Sequence, residues 1–122
     1  APPAVVISGG ETTVSVDGNG VGGPNQEFAL SAAVELAGDA AGDTTGESGE
    51  TVVAAVDTDG IDGVSDAAGA IVDSDTVTVA AGHRALAAND ATPLLADAGA
   101  LVQTGPTGTN VNDLRVVVVP AA

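Results

Sequence analysis

The sequence predicts an all-β fold: a small β-barrel or β-sandwich-like domain with at most one short helix and an extended N-terminal arm. Three observations carry that prediction. Short runs rich in Val and Thr recur along the chain, Asp/Gly turn signals separate them, and only one segment has the signature of a helix start. At 122 residues there is room for one core and one domain. It divides into an arm over residues 1–10 and a compact unit over 11–122, with a flexible acidic loop at 38–50.

AVVIS from Ala4 and ETTVSV from Glu11 read as two β segments parted by Gly9-Gly10, and DGNG at Asp17 to Gly20 is a turn signal, so the chain begins like a hairpin. Glu27 to Ala37 is ambiguous. Its Ala and Leu favour a helix, while Phe28, Leu30, Ala32, Val34 and Leu36 alternate as in a half-buried strand; the alternation decides for a strand. Gly38 to Glu50 has no apolar period and reads as an exposed loop. Thr51 to Asp57 and Asp75 to Ala81 are the next strands, and between them only Gly63-Val64 and Ala70 to Val72 look like β pieces. Asn89 to Gly99 holds the one expected helix, a turn or two beginning near Thr92 with Pro93 at the first helical position. Leu114 to Pro120 is a continuous β-branched run, expected at the centre of the core or in an interface and ended by Pro120.

Seventeen carboxylates against two arginines and no lysine give a net charge of −15. So many like charges oppose compaction in dilute buffer, and molar salt, which shortens the screening length to roughly 3 Å, relieves them. The apolar content is Ala and Val, with Phe28 the single aromatic residue. Together these features predict a protein from a highly saline environment. Two bases exclude nucleic acid and anionic membranes as partners, since counterion displacement needs a basic surface. No apolar run approaches the roughly 18 residues of a membrane span, and APPAVVISGG lacks a signal-peptide pattern, so a soluble chain is expected. With no cysteine, disulfides and thiolate chemistry are absent.

Asp57, Asp59, Asp62 and Asp66 surround two glycines and supply hard oxygen donors of the kind that coordinate Ca²⁺, Na⁺ or Mg²⁺, although Ile61, Asp62 and Ala68 break the EF-hand pattern and no cofactor is required. His83 stands alone, without the oriented partner a general base needs. SGGETT and GNGVGG read as turns, without the Lys or flanking helix of a phosphate cradle, and no nucleotide-binding or hydrolase fingerprint is recognised. Arg84 and Arg115 are expected to be paired, within the chain or across a subunit contact. Catalytic residue types being absent or unpartnered apart from carboxylates, the chain is expected not to be an enzyme.

The run TVTVAAGHRALAANDATPLLADAGALVQTG, with Gly63 to Gly69 followed by Thr76 to Ala80, resembles the small head-decoration, or cement, proteins of tailed double-stranded DNA viruses. The resemblance implies a homotrimer on the virion surface that binds the major capsid protein and stabilises contacts between capsomers. The interface would comprise the arm Ala1, Pro2, Pro3, Ala4, Val5, Val6 and Ile7, with Arg84 and Arg115. The competing expectation is an extracellular or cell-surface β domain, such as a surface-layer, adhesion or filament module.

Overall fold

A computed structural model describes residues 3–42 and 51–121. The elements, in chain order, are β1 (Ala4–Gly10), α1 (Pro24–Gly42), β2 (Val52–Asp57), β3 (Gly69–Val72), α2 (Val79–Ala87), α3 (Ala91–Asp97), β4 (Leu101–Val102) and β5 (Asp113–Val119). The strands form one antiparallel sheet in the order β1-β5-β2-β3-β4. The β-branched run therefore lies inside the sheet, between β1 and β2. Residues 4–10, expected as an arm, are the edge strand β1, paired with β5 from Ala4↔Val119 to Gly10↔Asp113.

The all-β expectation is overturned: the domain is mixed α/β, with three helices on an open sheet. The largest error is α1, expected as a strand. Its buried positions are Asn25, Gln26, Ala29, Leu30, Ala33 and Val34, a helical stripe and not an alternation: Phe28 is exposed, and Ala32 packs only partly buried at the margin of the core. Alternation over so few residues is compatible with both periods, and the Ala, Leu and Glu content favoured the helix. The helix runs on through 38–42 of the expected loop, whose remainder, 43–50, lies outside the described residues.

The second error is Asp75 to Ala81. Asp73 folds the chain back by accepting from Asp75 N, Thr76 Oγ1 donates to Asp73 Oδ1, and Thr78 Oγ1 then accepts from Ala81 N at 3.2 Å as the N-cap of α2. A Thr ahead of an Ala-rich run was the available signal. The expected hairpin at the N-terminus is also absent: residues 11–23 form an irregular strap, and β1 pairs with a strand from the far end of the chain.

The core lies between α1 and strands β2 and β3. Leu30, Ala33, Val34, Val53, Ala55, Ala70, Val72 and Leu95 are all buried in it, and small side chains predominate. Small residues permit close approach: a Cβ on Gly82 of α2 would overlap Val34 of α1.

Candidate functional site

The first turn of α1 is the meeting point of the chain's distant parts. Asp62, fully buried, accepts from Asn25 N at 3.0 Å, Gln26 N at 2.8 Å and Asn25 Nδ2 at 3.1 Å. Its carboxylate thus neutralises the positive end of the helix from a loop 37 residues away. Burial pushes its pKa up despite these donors. Asn25 Nδ2 also donates to Asp113 Oδ1 at 2.9 Å, and Asp113 Oδ2 accepts from Thr12 N at 2.8 Å and Thr12 Oγ1 at 2.7 Å. Burial works against ionisation of Asp113, but the donors Asn25 and Thr12 and the nearby Arg115 charge outweigh it and hold its pKa below the ordinary value.

The next residue, Gln26, is equally buried; its Nε2 donates to Ser65 Oγ at 2.6 Å and its Oε1 accepts from Thr92 Oγ1. One turn of helix therefore fastens the strap, the β2–β3 connection, α3 and β5.

The strap itself is held by Asn89, which ends α2 in a left-handed conformation (φ 51°) open to Asn. Its Oδ1 accepts from Asp17 N and Gly18 N, both at 2.8 Å, and its Nδ2 donates to Glu27 Oε1 at 3.0 Å. Asp90 Oδ1 accepts from Val21 N at 2.8 Å. Backbone contacts Gly20 N to Ala88 O, Thr92 N to Val21 O and Val64 N to Gly22 O complete the attachment. Gly63, at φ 62°, lies so close to Gly22 and Gly23 that a side chain there would collide with strap backbone.

Between strap and helix is a hollow of about 200 Å³ walled by Val14, Val16, Val64, Pro24, the strap glycines, Glu27 and Asn89. Among the described residues that line it Glu27 is the one ionisable group, half-buried, with its pKa pushed up by burial and by the Asp62 charge against the opposing bond from Asn89.

GNGVGG, expected to be a turn without a flanking helix, leads directly into α1, and Gly18, Gly20 and Gly23 have the G-x-G-x-x-G order. A dinucleotide seat needs a parallel βαβ unit and a free helix N-terminus for the pyrophosphate. Here the sheet is antiparallel and Asp62 already occupies that N-terminus.

The predicted cation ligands do not converge on one point. Asp57 ends β2 opposite Asp113 and accepts from Asp59 N; Asp59 accepts from Ile61 N; Asp62 is committed to α1; Asp66 is exposed. Among the described residues no group of three or more His, Asp or Glu is placed to hold a metal ion. Asp57 is pushed up by burial, its neighbours Asp59 and Asp113 adding to the effect. His83 and Arg84 are exposed on α2. Arg115 is held by Ser8 Oγ (3.2 Å), Gly9 O (3.0 Å) and the Phe28 ring, 5.5 Å from its centroid. Of the predicted interface residues, Ala1 and Pro2 lie outside the described residues, while Pro3 and Ala4 to Ile7 are exposed. Sequence reasoning missed Asn25, Gln26, Glu27 and Asn89; the run GGPNQE, polar side chains entering a helix just after glycines, was the signal.

These features define an α/β domain whose single polar knot builds a glycine-walled hollow with one carboxylate. A model of the MOFRL family matches residues 4–113, and the chain belongs to that family. It is 48% identical over 119 residues to a D-glycerate 2-kinase of Thermotoga maritima, covering 93% of this chain and 26% of that protein. It is 47% identical over 126 residues to an Agrobacterium vitis protein provisionally named hydroxypyruvate reductase, covering 98% and 27%. A crystal structure of Thermotoga maritima glycerate kinase superposes with a TM-score of 0.81 at 47% identity, over 95% of this chain and 27% of that one. A Pyrococcus horikoshii crystal structure gives 0.83 at 40% identity, over 99% and 27%. The chain thus spans about a quarter of the length of these relatives.

Family membership overturns the cement-protein resemblance, and with it the virion location, the capsid partner and the expected non-enzymatic role. Loose Ala/Gly/Val/Thr patterning carried that resemblance; of those residues, Val77 belongs to the small-residue core, while Thr78 to Ala80 are exposed at the start of α2.

Proposed function

We propose that this domain forms one wall of the active site of a glycerate-phosphorylating enzyme, with the glycine-walled hollow facing the acceptor. Glu27 carries the reading. Among the described residues it is the one ionisable side chain lining the hollow, and its raised pKa makes it a better proton acceptor than an ordinary carboxylate. As the glycerate hydroxyl oxygen bonds to the terminal phosphorus of a nucleoside triphosphate, its proton passes to Glu27, and the bond from that phosphorus to the nucleoside diphosphate breaks. Two relatives are provisionally named as hydroxypyruvate reductases. The occupied α1 N-terminus and antiparallel sheet favour the kinase reading over a dinucleotide seat in this domain.

The test is phosphorus NMR of the full-length gene product supplied with ATP and glycerate, for wild type and Glu27→Gln. Phosphoglycerate formation with kcat lowered about 10²- to 10⁴-fold in the variant, and KM little moved, is expected. Hydride transfer from a nicotinamide cofactor to hydroxypyruvate without phosphorylation overturns the reading; an unchanged kcat removes Glu27 from the chemistry.

A further inference from the structure

We infer that the face of the sheet turned away from the helices is a docking surface for another segment of the same polypeptide, lying outside these 122 residues and presenting an aliphatic layer. The inference rests on the reading that the chain is one domain of a longer enzyme. The register places charge on the other face. Across the strands, Ile7, Val116, Ala54 and Ile71 form one row, and Val5, Val118 and Val52 the next. Leu114 and Val56 continue the pattern. None of these side chains is charged, in a chain of net charge −15. On the helix side of the same strands lie Arg115, Asp113 and Asp57.

This neutral face is open. Val5 is 61% exposed, Ile7 67%, Ile71 50% and Val118 40%. Soluble proteins rarely leave so continuous an aliphatic patch in water. At its margin β1 is an edge strand seven residues long, exposed throughout, with none of the lysine, proline or bulge that usually guards such an edge. Its outer backbone groups and its apolar face are uncovered side by side.

Two observations identify the occupant. Matched relatives are about four times as long as this chain, so a family member has ample polypeptide to cover the face. The patch has no charge to offer a polar or basic partner, and an apolar layer alone matches it. An antiparallel sheet with helices on one face becomes a three-layer domain when the second face is covered.

The absence of cysteine from this chain supplies the probe. In the full-length gene product, Ile7→Cys, Ile71→Cys and Val111→Cys are each treated with a maleimide, and modification of the substituted peptide is followed by mass spectrometry. Val111 is 72% exposed in the loop before β5, outside the patch. Labelling of Ile7→Cys and Ile71→Cys about tenfold or more slower than Val111→Cys, at every protein concentration, is the expected result. Rates equal to that of Val111→Cys overturn the proposal. So does protection that disappears on dilution, because the occupant is then a second copy. The readout needs no catalysis, so phosphorylation of glycerate by the unlabelled protein tests the functional reading separately.

Discussion

Asn25 Nδ2 lies 2.9 Å from Asp113 Oδ1, and this hydrogen bond ties the head of α1 to the start of β5 across 88 positions of sequence. The same nitrogen donates to Asp62. Two buried carboxylates therefore share one amide, and among the described residues no other side-chain amide bonds to both.

Replacing Asn25 exposes that dependence. Asn25→Leu leaves both carboxylates short of a donor in a buried site, and the expected loss is about 2–4 kcal/mol in urea unfolding at neutral pH. Asn25→Asp adds a third like charge and is expected to be worse at neutral pH, recovering on acidification as carboxylates take up protons. A midpoint unmoved by either substitution would remove the knot from the account of stability.

The carboxylates of the site titrate in opposite senses, which fixes the shape of the stability curve. Asp62 and Glu27 are pushed up chiefly by burial. The folded state binds their protons more tightly than the unfolded chain, so stability falls as pH rises from the unfolded values, about 3.9 and about 4.3, through the raised folded ones. Asp113 is held down by Asn25, Thr12 and Arg115 against its burial. Its contribution is present above about 3.9 and is lost as pH falls through its folded value. Urea midpoints measured across pH should therefore peak on the acid side of neutrality and drop below it. Glu27→Gln keeps an acceptor for Asn89 and should flatten the limb between the peak and neutrality, leaving the acid drop in place. A curve that rises steadily to neutral pH contradicts these assignments.

Much of this was legible in the residues, and the reasons for the rest are specific. Apart from Thr51 and Pro120, which flank the strands, Thr51 to Asp57, Ala70 to Val72 and Leu114 to Pro120 lie in β2, β3 and β5, because β-branched runs bounded by turn residues have few alternatives. The helix at Asn89 to Gly99 is present too, as α3 over Ala91–Asp97. What failed was the choice of period in α2, where the Thr78 cap was the signal passed over, and in α1, where the alternation outweighed the helical composition and the cap, Asp62, comes from a loop 37 residues away. The site failed for the same reason. Asn25, Gln26 and Asn89 act through partners between 36 and 88 positions away. Short polar side chains beside glycines look like turn residues until the fold brings their partners in.

Two helical glycines give opposite predictions. Gly38 lies on the exposed side of α1, and a Cβ there meets nothing within 4 Å, so Gly38→Ala is expected to stabilise by about 0.5–1 kcal/mol through helix propensity. Gly82 in α2 is buried, and its Cβ would overlap Val34 Cγ2. A β-branched side chain in a helix has one strongly preferred rotamer, so Val34 cannot swing aside cheaply. Gly82→Ala is expected to destabilise by about 1–3 kcal/mol despite its better propensity. Thermal denaturation of the two variants decides; stabilisation by both would mean that α1 and α2 are not in close contact.

Salt dependence is expected to have two parts. With 17 carboxylates and two arginines, one of which, Arg115, is bound to Ser8, Gly9 and Phe28, added salt has mainly repulsion to screen. That gain should saturate near 1 M, where the screening length has fallen to roughly 3 Å. Any further rise must come from strengthened apolar association, and here it acts on a core of Ala, Val and Leu. Tm should therefore climb steeply with potassium chloride below about 1 M and more gently above it, and sulfate, compared at equal ionic strength, should steepen the second part while leaving the first nearly unchanged. A Tm that falls with added chloride would mean that attractive charge pairs dominate the surface, contrary to its composition.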